Sequence, residues 1–222
     1  MKYYDFSHDM IQRTLNEDLD NNMSYIRFLH SATNSPDVDV YINDRLTIPG
    51  LKYREFTDYI NLKPGTYNIK VYPFNNTSKL LLDTNIKIDP KTVTTTSIYS
   101  KNKKLLISKL NETPLSIPTQ GKPKIRIAHF IENIPPIDVY LSNGTLLYKN
   151  LKFEDLTKYI ELPSNTYIID IKLANTDISM LYVPNIRINK DNYYTLYLVG
   201  LLNNYPEPQM LIPLDGITYL DL

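Results

Sequence analysis

The feature that most restricts how this chain can fold is an internal repeat. Residues 25–43 (YIRFLHSATNSPDVDVYIN) overlay residues 124–142 (KIRIAHFIENIPPIDVYLS) at a constant offset of 99, and eight of the seventeen positions from Ile26 to Ile42 are identical. Residues 51–72 (LKYREFTDYINLKPGTYNIKVY) overlay 151–172 (LKFEDLTKYIELPSNTYIIDIK) at an offset of 100, with nine of twenty-two identical. The one-residue change falls where NDRL becomes SNGTL, and NIKID (85–89) then matches NIRIN (185–189). A duplication of this length requires one architecture to be built twice. The 222 residues suffice for two domains of ordinary size.

Within each copy the apolar residues alternate. Ile26 and Phe28 interleave with Arg27 and Leu29; Val38, Val40 and Ile42 interleave with Asp37, Asp39 and Tyr41; Tyr67, Ile69 and Val71 interleave with Asn68, Lys70 and Tyr72. Period-two alternation rich in β-branched and aromatic residues marks half-buried strands. Pro64-Gly65 predicts the centre of a type II turn, with Ser164-Asn165 as its counterpart. Short strands between turn signals predict an all-β chain of two tandem antiparallel β-sandwiches. The copies are assigned to 23–115 and 116–222, joined through the proline-bearing stretch 111–123 (NETPLSIPTQGKP). Ahead of them residues 1–22 form an arm. There Ser7 is placed to cap a short helix striped by Met10, Ile11, Leu15 and Leu19, and the aromatic residues Tyr3, Tyr4 and Phe6 precede it.

Composition narrows the function classes. Lys plus Arg balances Asp plus Glu at 24 each, so no global field draws the chain to nucleic acid or acidic lipid, and no nucleic-acid partner is expected. Cysteine is absent, which removes disulfides and thiolate-ligated metals. The N-terminal stretch lacks an apolar run of signal-peptide length and carries acids throughout. No window approaches the roughly 18 apolar residues of a membrane span. The expectation is cytoplasmic synthesis, with deposition on a spore or cell surface. The 19 tyrosines suit strands and contact surfaces.

No residue set reads as an active site, and neither a cofactor nor a metal is expected. His30 and His129 recur at one position of the repeat and share strand parity with core residues, which favours buried histidines bonded to a nearby loop over ligands or bases. Arg27 with Asp39, and Arg126 with Asp138, are expected to pair across neighbouring strands on the face opposite the core. Tyr41 and Tyr140 complete the recurring structural set. Asp37 and Asp39 share a face, but calcium needs six or more oxygen ligands, and Pro136 replaces Asp37 in the second copy. Glu154-Asp155 is an adjacent acid pair, whereas glycosidase carboxylates must face each other across a substrate.

Three pieces of each copy resemble a known family. They are Arg27 to His30, Pro36 to Tyr41 and Leu62 to Tyr67, and again Arg126 to His129, Pro135 to Tyr140 and Leu162 to Tyr167. Together they resemble the bacterial domain-of-unknown-function family 4397, over roughly residues 23–220. The second copy departs from the pattern at Asn165, where the motif has glycine. The resemblance implies tandem sandwiches like immunoglobulin or transthyretin modules, usually in exported or cell-surface proteins, and it supplies no catalytic residues.

The leading expectation for function is a non-catalytic structural or assembly subunit of a bacterial surface, spore-coat or appendage structure. It would self-associate, or join other surface proteins, through the arm residues Tyr3, Tyr4, Phe6, Met10, Ile11, Leu15 and Leu19 and through sheet edges. The alternative is a small-ligand or carbohydrate-binding module, with Tyr53, Tyr59 and Tyr148 as candidate stacking residues, although Tyr59 recurs as Tyr159, which makes a core or corner role the more economical reading for it.

Overall fold

A computed structural model describes residues 22–113 and 119–220. The arm residues Tyr3, Tyr4, Phe6, Met10, Ile11, Leu15 and Leu19 lie outside the described residues. The first copy comprises β1 (Ser24–His30), β2 (Val38–Ile42), β3 (Arg45–Leu51), β4 (Ile60–Leu62), β5 (Gly65–Pro73), β6 (Leu82–Ile88), β7 (Val93–Lys101) and β8 (Lys104–Asn111). The second comprises β9 (Lys124–His129), β10 (Ile137–Leu141), β11 (Leu146–Leu151), β12 (Ile160–Glu161), β13 (Asn165–Leu173), β14 (Ser179–Ile188), β15 (Tyr193–Val199) and β16 (Gln209–Leu211). A short 3₁₀ turn, Gly216–Thr218, follows.

Each copy is a sandwich of two four-stranded sheets, with the same strand order in both. The inner sheets run β4-β1-β7-β8 and β12-β9-β15-β16; the outer sheets run β3-β2-β5-β6 and β11-β10-β13-β14. Alternation places Ile26, Phe28, Val40, Ile69 and Val71 in the core of the first sandwich. Their counterparts Ile125, Ile127, Val139, Ile169 and Ile171 fill the second.

The expected two all-β sandwiches are present, with mixed sheets: they are not purely antiparallel, because β1 runs parallel to β7 and β9 parallel to β15. Side-chain parity is blind to strand direction, and the chain reaches β7 only after crossing through the outer sheet. Nor is Pro64-Gly65 the centre of a type II turn. Gly65 opens β5 opposite Ile88, and Asn165 opens β13 opposite Ile188, both in extended backbone (Gly65 φ 159°). The link from β4 to β5 passes between sheets, which calls for extended chain rather than a reversal.

The inner strands are covered on both faces. Every residue of β15, and all of β7 except Lys101, is buried. A parallel pair is normally covered in this way. One face meets its own sandwich core, and the other meets the second copy. Along that seam Leu29, Tyr99 and Leu110 pack with Ala128, Phe130, Tyr197 and Val199 as a third apolar cluster. The two copies are therefore fused through a core rather than strung on a linker.

Candidate functional site

The seam holds a duplicated polar network. Arg27 Nε donates to Thr95 Oγ1 at 2.7 Å, Nη1 to the Leu214 carbonyl at 3.0 Å, and Nη2 lies 3.4 Å from Glu112 and 3.7 Å from Asp215. Arg126 Nε donates to Thr195 Oγ1 at 2.8 Å and Nη1 to the Asn111 carbonyl at 2.7 Å. Each arginine thus bonds a carbonyl of the other copy. The acids are equivalent as well. Tyr59 donates to Glu112 at 2.6 Å and Tyr159 to Asp215 at 2.5 Å, while the arginines lie 4.7 and 4.4 Å over those same tyrosine rings.

Two cations and two carboxylates cancel, which lets the group stay out of water. Glu112 and Asp215 are wholly buried. Burial, and then the neighbouring Asp215, push the Glu112 carboxyl above its ordinary range, against Arg27. Burial opposes the Arg27 charge, but Glu112 and the other negative neighbours outweigh it and hold the guanidinium more firmly protonated. The Gly216 N–H closes the network by donating to Glu112 at 2.7 Å.

The expected Arg27–Asp39 and Arg126–Asp138 pairs do not form. Arg27 stands on the inner sheet and Asp39 on the outer one, and β1 has β4 and β7 as neighbours rather than β2. Asp39 instead accepts the backbone N–H groups of Gly50 (2.8 Å) and Asn75 (2.9 Å), and Asp138 those of Asn150 (2.7 Å) and Asn175 (3.4 Å). These carboxylates anchor loops. Tyr41 and Tyr140 lie half-buried on the outer sheets, the first edge-on to Tyr72 and the second under Lys172.

Both histidines are fully buried. The Nε2 of His30 lies 3.0 Å from the Pro36 carbonyl, and its Nδ1 accepts from Ala32 N at 3.3 Å, which assigns the proton to Nε2. His129 Nδ1 accepts from Ile131 N at 3.3 Å, while its Nε2 has no partner among the described residues. Burial pulls His30 below its ordinary pKa and His129 down to about 4. Among the described residues no three His, Cys, Asp or Glu converge as a metal site would require. Glu154 and Asp155 turn to different partners, Glu154 to Tyr99 and Lys101, Asp155 to its own loop N–H at Lys152.

The two ends of the seam differ, and here the pseudo-symmetry breaks. At one end β7 and β8 are joined by two residues, Asn102 and Lys103, with φ 51° and 63°, as a tight hairpin requires. That end is closed by Glu154 on Tyr99 and Lys101, and by Glu132 accepting Asn102 N at 2.6 Å. At the other end β15 and β16 are joined by nine residues, Gly200 to Pro208. This loop folds back on itself: Gly200 has φ 117°, and a Cβ there would come within 2.4 Å of the Glu207 carbonyl oxygen.

A cleft of about 460 Å³ opens beneath the loop, lined by Tyr53 and Arg54 from the first copy and by Tyr205, Pro206, Glu207 and Gln209 from the second. Tyr205 is 86% exposed. Arg54 donates to Gln209 Oε1 across the seam and lies 5.5 Å over the Tyr53 ring. The buried Tyr53 hydroxyl is pushed up to about 12 by desolvation.

Of the three tyrosines proposed for stacking, only Tyr53 reaches this cleft. Tyr59 belongs to the buried network, and the Tyr148 hydroxyl is tied to the Ile125 and Lys158 carbonyls. Sequence reasoning passed over Tyr205. The signal available was the mismatch in hairpin length, SKNKK against GLLNNYPEP, at equivalent points of the repeat.

Among solved structures, the chain is similar to the carbohydrate-binding module CBMbc (family CBM26) from Eubacterium rectale Amy13K in complex with maltoheptaose. Identity is 11% and the TM-score 0.29, over 86% of this chain and 97% of that one. It is similar to the Bacillus anthracis TIE protein at 12% identity and a TM-score of 0.26, over 82% of this chain and 34% of that one. Likenesses this slight say nothing of what the cleft holds. No curated protein matches the sequence. The family model of a domain of unknown function, DUF4397, matches residues 24–140 and again residues 123–215, the first match starting at β1 and the second just before β9. With both copies matched, the chain belongs to the DUF4397 family as a tandem of two such domains.

Proposed function

We propose that the protein is a non-catalytic binding module, in which two fused sandwiches form one rigid scaffold for a ligand cleft at the open end of the seam. The supporting observation is the one-sided loop Gly200–Pro208, which breaks an otherwise duplicated arrangement and sets Tyr205 beside Arg54, Glu207 and Gln209. Loops on a fixed scaffold are where binding residues concentrate. Both seam carboxylates already have partners, Glu112 in Arg27 and Tyr59 and Asp215 in Tyr159 and Thr195, which argues against acid–base work there.

A thermal-shift screen of saccharides, peptides and nucleotides on the intact chain tests this reading. Ligands should raise the melting temperature, and replacing residues 200–208 by the Asn-Lys turn of the first copy should remove the rise while the free protein stays folded. Ligand-induced shifts that survive the replacement would move the site elsewhere.

The assembly reading is second. The sheet edges argue against strand-to-strand pairing, since Pro49 interrupts β3, Pro184 interrupts β14, and Lys104 and Lys109 sit on β8. What remains of it is the arm, and the deposition of such an assembly on a spore or cell surface. Light scattering with and without residues 1–22 decides between them: arm-dependent oligomers favour assembly, and monomers in both forms favour the binding module.

A further inference from the structure

We propose that the cleft takes a short neutral oligosaccharide, stacked on Tyr205 and hydrogen-bonded by Arg54, Glu207 and Gln209; this rests on the cleft being the ligand site. Tyr205 presents an almost fully exposed ring at the mouth of the cleft, with Pro206 continuing the apolar surface. The C–H face of a sugar ring would cover such a surface, as rigid aromatic side chains provide contact area at small entropic cost. Around it stand three planar polar heads of complementary kinds. Arg54 only donates, Glu207 only accepts, and the Gln209 amide does both. Neighbouring sugar hydroxyls, each donor and acceptor at once, fit that mixture.

Charge and shape exclude other ligand classes. The Arg54 cation and the Glu207 anion offset each other, so a phosphate, a sulfated sugar or a nucleic acid gains no net field. Among the described residues Arg54 spends one bond on Gln209 and is set over Tyr53, which fixes its plane and leaves its other donors for the ligand. A peptide added as a strand needs an edge to pair with, and the edge here, β16, is only three residues long. At the closed end Phe153 stands in place of Tyr53, and Glu154, in place of Arg54, is held by Tyr99 and Lys101, so the cleft is not repeated there among the described residues.

The test is affinity electrophoresis of the intact protein through gels containing soluble α-glucan, mixed-linkage β-glucan, xylan or mannan, with alginate as the anionic comparison. At least one neutral polymer should retard the protein and alginate should not. Tyr205→Ala should weaken retardation at least tenfold and Glu207→Gln about threefold, with unchanged melting temperatures. Tyr182→Ala, at an exposed tyrosine on the outer sheet of the second copy, should bind as the native chain does. Retardation by none of the neutral polymers, by alginate alone, or equally in Tyr205→Ala overturns the proposal. Tyr205-dependent thermal shifts with peptides or nucleotides but not with glycans would sink the sugar assignment and keep the site. Shifts that ignore Tyr205 altogether would sink both.

Discussion

Single residues at the seam are held by opposite charge in a place without water. Truncating Arg27 leaves Glu112 and Asp215 buried beside each other with one cation fewer. Arg27→Met should destabilise the chain by about 3–5 kcal/mol in urea unfolding, and Arg27→Met with Glu112→Leu by clearly less, because the pair is removed together. Equal losses in the single and double variants would mean that packing, not charge, is what Arg27 supplies. The histidines make a pH-dependent contribution. His129 stays neutral in the fold down to about pH 4, whereas the unfolded chain takes up its proton near 6.5. Between those values the unfolded state binds more protons, so its contribution is complete above pH 6.5 and is lost as pH falls towards 4. The loss amounts to about 3 kcal/mol, and His30 moves in the same direction. Urea midpoints at pH 7.5 and 4.5 should separate less in His129→Gln; an unchanged separation would assign the acid sensitivity to other groups.

At the scale of elements, strands were legible and their neighbours were not. Period two in Val38–Ile42 and Tyr67–Tyr72 located β2 and β5 and put Val40, Ile69 and Val71 in the core. The same parity hid the seam. Both faces of β1 carry apolar residues, and Leu29 reads as one more surface leucine until a second sheet is laid over it. Glu112 sat in a stretch assigned to the linker, 85 residues from Arg27, with no periodic pattern to tie them. The loop Gly200–Pro208 was visible as a length mismatch between copies, though its shape depends on one backbone position. Gly200→Ala should force the left-handed turn and the Glu207 carbonyl apart, at a cost of roughly 1–3 kcal/mol, and should abolish ligand-induced stabilisation. Native-like ligand binding in that variant would show that the loop does not need its folded-back form.

The whole molecule behaves as one cooperative unit if the seam is a core. Calorimetry should show a single transition rather than two. Proteolytic cleavage between Glu112 and Lys124 should leave two fragments that elute together, because the apolar cluster and both arginine–carbonyl bonds span the cut. Residues 22–113 alone would expose Leu29, Tyr99 and Leu110 and should self-associate through that face. Two well-separated transitions, or fragments that part in dilute buffer, would reduce the seam to a contact between independent domains.

The network that closes the seam also sets a clock on synthesis. Arg27 is made well before its partners Leu214 and Asp215, and Glu112 well before the Gly216 N–H that caps it. At roughly 5–20 residues per second the first sandwich waits on the order of 5–20 s between the translation of Glu112 and that of Asp215. During that interval its inner sheet presents an uncovered apolar face and an Arg27–Glu112 pair that lacks the Leu214 carbonyl and the Gly216 N–H. A nascent chain in this state is a natural client for a chaperone, and ribosome stalling before Leu214 is added would hold it there.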